Sequence, residues 1–205
     1  MLALFYVESL FTNVPIEDTM NILITGTTGY IAKRLAVKLL DQGHTLVCCV
    51  RDLNRIPDEI ENHPNASFME IDFLEVKEMK LPKDIDCAYY LIHSMSASNN
   101  SFETLEETCA ANFKRLLKNT NCQQLIYLSG IVNDDSLSKH LKSRLQVEEI
   151  LKSDAYALTT LRAGIIVGSG SASFEIIRDI VEKLPLMVTP KWLNTKTQPI
   201  AIRDV

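Results

Sequence analysis

Short apolar runs recur along the chain at Asn21 to Thr25, Thr45 to Val50, Ala66 to Ile71, Cys87 to Ile92, Gln124 to Leu128 and Leu158 to Ile166. Helical spacing separates several of them. This alternation predicts a parallel sheet wound with helices: an α/β, doubly wound fold of three layers, α/β/α. In the first helix Ile31, Leu35 and Leu39 follow the i, i+4, i+8 spacing of a buried stripe, with Lys33, Arg34, Lys38 and Asp41 outward. Gly43 suits a left-handed C-terminal cap. A second helix is expected over about Phe102 to Lys118, with Leu105, Cys109, Asn112 and Leu116 on one face, so that Asn112 points toward the sheet. Further helices are expected over Leu137 to Leu151 and over Ser171 to Leu184, the latter with Phe174, Ile177, Val181 and Leu184 inward. Pro185, Pro190, Trp192 and Pro199 then mark irregular chain before Ile200, Ala201 and Ile202.

The first strand runs into Gly26-Thr27-Thr28-Gly29-Tyr30-Ile31-Ala32 and then into a helix. A glycine loop in that setting frees backbone N–H groups for a pyrophosphate at the positive end of the helix. Ala32 stands where the third glycine of such a loop is common and still permits close packing of helix on strand. The competing reading is a tight turn and nothing more. At the end of the second strand a carboxylate would take the ribose 2′-hydroxyl of NAD, whereas an arginine accommodates the 2′-phosphate of NADP. Val50 is followed by Arg51, whose permanent charge and forked donors suit that phosphate, and Lys33 or Arg34 is placed to add charge. The expected cofactor is therefore NADP(H), with NAD(H) left open, because Asp52 comes next and Arg51 with Asp52 also reads as a solvated turn.

The order of motifs from residue 20 to 205 resembles the atypical branch of the short-chain dehydrogenase/reductase superfamily, the NmrA-like NAD(P)-binding proteins. Besides the loop, Asp72-Phe73 resembles that family's adenine contact, and Leu91-Ile92-His93-Ser94 resembles the strand end beside the cofactor. Asn112 looks like its helix asparagine. Tyr127-Leu128-Ser129-Gly130 resembles the strand end bearing the active-site serine, and Leu161-Arg162-Ala163-Gly164 its Leu-Arg-Pro-Gly turn near the nicotinamide, with Ala163 for proline. The resemblance implies cofactor contacts from these positions and an oxidoreductase activity. It also implies a Tyr-x-x-x-Lys pair, and here the chain departs: aligned through Glu148, His140 stands at the tyrosine position and Arg144 at the lysine position. The candidate catalytic set is thus Ser129, His140, Arg144 and Asn112. A guanidinium one turn away disfavours imidazolium, so His140 is expected to be neutral. A shifted alignment pairs Ser138 with Lys142, and a solvated face of His140, Lys142 and Arg144 is the alternative to both.

Charge and composition narrow the function classes further. The 205 residues carry a formal charge of −5 and 46% hydrophobic residues, enough for one domain with a full core. Neither nucleic acid nor an anionic membrane surface is expected as a partner. Cys48, Cys49, Cys87, Cys109 and Cys122 give an odd count without Cys-x-x-Cys pairs, which fits a reducing, cytoplasmic location. His44, His63, His93 and His140 lack metal-ligand spacing, so no metal is expected, and Ser129 lacks a nucleophile elbow. Residues 1 to 19 read as an N-terminal extension, either dispensable or an arm packing Leu4, Phe5 and Leu10. Residues 20 to 168 read as the dinucleotide-binding domain, and 169 to 205 as the incomplete start of a substrate-side subdomain. Two functions fit: an NADPH-dependent oxidoreductase of unknown substrate with a non-standard active site, or a non-catalytic NADP-sensing module that contacts a protein partner. A homodimer is compatible with both.

Overall fold

The computed structural model of the chain describes residues 19–76, 78–93, 102–131, 139–183 and 198–205. Six strands, β1 (Asn21–Thr25), β2 (Thr45–Val50), β3 (Ala66–Glu70), β4 (Cys87–Tyr90), β5 (Gln124–Gly130) and β6 (Ala157–Ala163), form one sheet in the order β3-β2-β1-β4-β5-β6. All neighbouring pairs in it are parallel. The winding reverses direction between β1 and β4, which opens a crevice at their carboxyl ends, the place where doubly wound sheets bind ligands.

The two-residue period of a strand sorts side chains into the two outer layers. Ile22 and Ile24 of β1 join Ala32, Ala36, Leu39 and Leu40 of α1 (Tyr30–Asp41) and Ile60 of the short α2 (Asp58–Glu61). Leu23, between them, points the other way, to Phe113 and Leu117 of α3 (Phe102–Leu117) and Val147 and Leu151 of α4 (Lys139–Leu151). Cys48 and Cys49 divide in the same manner, so they are core residues on opposite faces. The three-layer expectation holds, and α1 ends as expected at Gly43, with φ +88°, whose N–H reaches Leu40 O at 2.9 Å.

Three expectations need correction. The buried stripe of α1 is Ala32, Ala36, Leu39 and Leu40; of the expected stripe Leu39 is buried, Leu35 packs at its margin, and Ile31 is replaced by Ala32. The helix leaves the glycine loop directly onto the sheet, and only small side chains fit beneath its first two turns. The run from Leu158 to Ile166 does not stay in one sheet: β7 (Ile166–Val167) leaves to pair in parallel with β8 (Ile200–Ala201). The break falls at Gly164, where an added Cβ would lie 2.2 Å from the carbonyl oxygen of Gln198, so two backbones cross in contact. Finally, the inward side expected for the next helix is not inward. Phe174, Ile177 and Val181 of α5 (Ala172–Lys183) are 36%, 46% and 61% exposed, because the helix packs beside the small β7-β8 pair and not on the main sheet. Leu184, Pro185, Pro190, Trp192, Ser138 and the extension up to residue 18 lie outside the described residues.

Overfilling a backbone crossing strains both chains. Gly164→Ala is expected to cost about 1–3 kcal/mol in urea unfolding, and unchanged stability would show that the 164–198 crossing is not a fixed contact.

Candidate dinucleotide site

The loop between β1 and α1 is built without side chains in the way. Gly26 has φ +69°, and a Cβ on it would lie 2.8 Å from Leu91 O, so the loop rests on the end of β4. Thr25 sutures the same two strands, its hydroxyl donating to Tyr89 O at 3.2 Å and accepting from Leu91 N–H at 3.0 Å. The Thr27 hydroxyl is fully buried and donates to Ile24 O at 3.2 Å, so this threonine pegs the loop to the sheet and turns only backbone toward the crevice. Thr28 and Gly29 are exposed. Gly29 caps α1 with extended backbone and no side-chain hydrogen bond, and no acidic residue stands in the first turn. The N–H groups of Tyr30, Ile31 and Ala32 therefore open α1 without a side-chain cap, in the arrangement that takes a pyrophosphate.

Around this loop the sequence candidates separate into free and committed groups. Arg51 is exposed at the end of β2 and makes no hydrogen bond or ion pair among the described residues. Asp52 is engaged locally: its Oδ1 accepts Asn54 N–H and Asn54 Nδ2, each at 2.9 Å, capping a turn at Leu53–Arg55. Lys33 and Arg34, expected as added charge, are occupied elsewhere. Lys33 pairs with Glu59 at 2.7 Å, while Arg34 donates to Ser169 O at 2.9 Å and lies over the Tyr30 ring. The Tyr30 hydroxyl is buried against Gly168, without a hydrogen-bond partner among the described residues. Past β3, Asp72 is exposed and caps its own turn through Leu74 N–H at 2.9 Å. The Phe73 ring is core, edge-on to Phe113, so only its backbone faces the crevice side of that turn. Asn112 holds that backbone through Nδ2 to Phe73 O at 2.8 Å. It fixes the turn after β3 against α3.

At the ends of β4 and β5 the structure assembles a cluster that sequence reasoning had only in part. His93 Nδ1 lies 2.9 Å from Glu106 Oε1 of α3, and Ser143 of α4 donates its hydroxyl to Glu106 Oε2 at 2.6 Å. Glu106 is 3% exposed. His140 places its ring 4.8 Å from that of His93. Arg144 donates to Leu128 O and covers the Tyr127 ring, and its charge acts on His140. Ser129, at the end of β5, is buried, and its hydroxyl lies within hydrogen-bonding reach of the Tyr127 phenol. Ala163 closes β6 opposite Gly130, with Gly164 at the crossing described above. Glu106 and Ser143 were missed; the signal was a carboxylate inside the buried stripe of Cys109, Ala110 and Phe113. Ser94 lies outside the described residues.

The electrostatics follow from these contacts. Burial pushes the Glu106 carboxyl up, but its hydrogen bonds with His93 and Ser143 and the charge of Arg144 outweigh that and hold it below the usual range. Partial burial, then His93 and Arg144, lower His140, against Glu106, which accords with the neutral imidazole expected above. Burial raises the Tyr127 phenol to about 12. No group of three or more His, Cys, Asp or Glu that would hold a metal occurs among the described residues.

The profile of a family described as NAD(P)H-binding matches residues 26–172, starting on the first glycine of the loop. The chain belongs to the NAD(P)H-binding family. This NAD(P)H-binding protein is similar in structure to UDP-glucuronic acid 4-epimerase from Bacillus cereus in complex with NAD, with a TM-score of 0.71 and 22% identity, over 90% of this chain and 70% of that one. It is also similar to TunA, an NAD-dependent NDP-hexosamine 5,6-dehydratase involved in tunicamycin biosynthesis, with a TM-score of 0.66 and 19% identity over 91% and 69%. The Bordetella bronchiseptica enzyme WbmG in complex with NAD matches with a TM-score of 0.64 and 15% identity over 83% and 62%. At such identities the likeness establishes a shared fold. No match was found among curated proteins. Among the described residues no helix is long and apolar enough to cross a membrane.

Two outcomes test this geometry. A side chain at position 29 meets only Gly26 O, at 3.0 Å, and otherwise projects where the pyrophosphate belongs. Gly29→Val should therefore keep a cooperative unfolding transition and lose dinucleotide binding in calorimetry; equal binding would remove the loop from the site. For Glu106, a folded pKa below the unfolded one adds stability that is complete above the unfolded value of about 4.3 and is lost as pH falls through the lowered folded value. The stability gap between wild type and Glu106→Gln, read by urea unfolding, should be widest near neutral pH and close on acidification. A gap independent of pH would mean that the carboxylate is not held by these contacts.

Proposed function

We propose that the chain binds NADP(H) in preference to NAD(H) and uses it as an oxidoreductase of the atypical, NmrA-like short-chain dehydrogenase/reductase type, on a small-molecule substrate and without a Tyr-x-x-x-Lys pair. The observation that carries the cofactor choice is the contrast at the end of β2. Arg51 offers an uncommitted guanidinium, while the one carboxylate beside it, Asp52, is turned into its own capping contacts. A 2′-phosphate brought out of water without a cation is costly, and a charge-assisted fork offsets that cost. The Ser129 hydroxyl, buried at the end of β5 beside the Tyr127 phenol, supports chemistry at the nicotinamide end, where the resemblance puts a serine. Bound there, the nicotinamide would supply or withdraw a hydride. The loop from Gly26 to Ile31 would hold the pyrophosphate, Asp72 and the Phe73 backbone the adenine side, and Leu91, His93, Ser129, Ala163 and Gly164 the nicotinamide side.

A non-catalytic NADP-responsive module is the second reading, and the apolar exposed side of α5 favours it, because such a face suits a protein partner or a second copy of the chain. Five buried free thiols support a reducing, cytoplasmic setting for either. The cofactor choice is checked by a ratio. A charge-assisted contact of this kind is worth about 1.5–3 kcal/mol, so Arg51→Ala should weaken NADPH roughly ten- to hundredfold and leave NADH nearly unchanged. Tighter binding of NADH by wild type, hardly altered in the variant, would overturn it.

A further inference from the structure

Resting on the dinucleotide reading of the glycine loop, we infer that Tyr30 and Arg34 form a clasp through which a bound dinucleotide orders the turn from Gly168 to Ser171 and so sets the unit of β7, β8 and α5 on the Rossmann sheet. Helix α5 packs beside β7 and β8 and not on the main sheet, so its placement relative to the crevice has to come from contacts elsewhere in the unit. Besides the crossing at Gly164, one contact that ties the unit to the rest lies at the start of α1.

Arg34 makes three contacts there. Its Nη1 donates to Tyr30 O at 3.2 Å, its Nη2 donates to Ser169 O at 2.9 Å, and the guanidinium lies 3.9 Å over the Tyr30 ring centroid. The ring in turn walls the turn. A Cβ on Gly168 would lie 2.7 Å from the Tyr30 phenol oxygen and 2.6 Å from Ile202, just past β8, so three separate pieces of chain meet at this glycine. A Cβ on Gly170, at φ +78°, would lie 3.7 Å from Cε2 of the same ring. Ser171 closes the turn, its N–H donating to Gly168 O at 2.9 Å and its hydroxyl to Ile166 O at 2.7 Å, while Glu175 N–H donates to Ser171 O at 2.9 Å. The turn is thereby one piece with β7 and the first turn of α5.

Tyr30 belongs to both ends of this arrangement. Its N–H is among those that open α1 toward the pyrophosphate, and its ring carries the turn. The first turn of α1 has no acidic residue, and Lys33 and Arg34 follow it, so the helix dipole opposes holding a guanidinium at this end until an anion arrives. A bound pyrophosphate supplies that negative charge, and Arg34 then holds Ser169 O with less opposition. It also fixes the Tyr30 backbone, so the ring loses less freedom when the turn packs on it. Both effects favour the seated turn in the bound state, which is the differential interaction that coupling between two sites requires. Arg34 and the Tyr30 ring act by placement and are positioning residues. A second ligand that meets the β7-α5 unit therefore binds after the dinucleotide with less ordering left to do.

Hydrogen–deuterium exchange on the full chain reads the clasp without a substrate. With binding confirmed by calorimetry, saturating NADP+ should slow exchange at least about threefold in peptides covering the glycine loop and in those covering residues 166–175. Arg34 is exposed, so Arg34→Ala keeps the fold; there the loop should still be protected by NADP+ while the protection at 166–175 disappears. Lys33→Ala removes the neighbouring cation, which pairs with Glu59 and is not part of the clasp, and should behave as wild type. A turn whose exchange ignores bound NADP+, protection that survives in Arg34→Ala, or an equal loss in Lys33→Ala overturns the inference and leaves the cofactor reading standing. If NAD+ binds and NADP+ does not, the NADP preference falls, and the same exchange series with NAD+ decides the clasp. Binding of neither dinucleotide overturns both.

Discussion

Everything at the crevice depends on how closely the β1–α1 loop lies on the end of β4. Gly26 is the point of contact, with no room for even a methyl group against the Leu91 carbonyl, and the Thr25 hydroxyl ties the same two strands from the next position. Protein interiors have too little free volume to absorb such a displacement locally. Lifting the loop would move the first turn of α1 off the sheet, where Ala32 and Ala36 now allow it to sit. It would also separate the uncapped N–H groups from His93. One backbone contact thereby sets how the glycine loop lies against the end of β4.

Beneath the chemical end lies a row of rings. Phe73 meets Phe113, Phe113 meets Tyr90 and Tyr90 meets Tyr127 at centroid distances of 5.6, 4.9 and 6.0 Å. Each such pair contributes about 0.5–1.5 kcal/mol beyond its area. The row links the loop after β3, helix α3 and strands β4 and β5, and the Tyr127 hydroxyl extends it to α4 by donating to Arg144 O at 3.2 Å. Burial keeps these phenols protonated: it raises Tyr127 to about 12 and Tyr90 well above its ordinary value. Burial likewise lifts Cys87, Cys109 and Cys122 to about 11, so no reactive thiolate forms there at neutral pH.

The sheet was legible in the chain because parallel strands buried on both faces read as apolar runs, and β1 and β2 match the expected bounds residue for residue. The loop was legible because glycines mark positions where side chains would collide. What failed was anything that depends on the distance between elements remote in sequence. Periodicity cannot tell Ala32 from Ile31 as the residue facing a sheet that sits unusually near, nor find the crossing of Gly164 with Gln198. Nor does it say whether an amphipathic helix such as α5 has a core to face. The same limit hid the cluster around Glu106. Alignment by spacing along α4 offered His140 and Arg144, whereas the partner that organises the cluster, Glu106, sits 34 or more residues earlier and is joined to α4 only through folding.

Glu106 is the costliest side chain at this end of the sheet. A buried carboxylate is costly unless its hydrogen bonds and charges compensate, and apolar replacements at such positions commonly leave a fold as stable or more so. The stripe around it, Cys109, Ala110 and Phe113, is apolar and would accept one. The two oxygens of Glu106 instead meet His93 and Ser143 and so join the ends of α3, α4 and β4. The charge buried at this position is what fastens those three ends together.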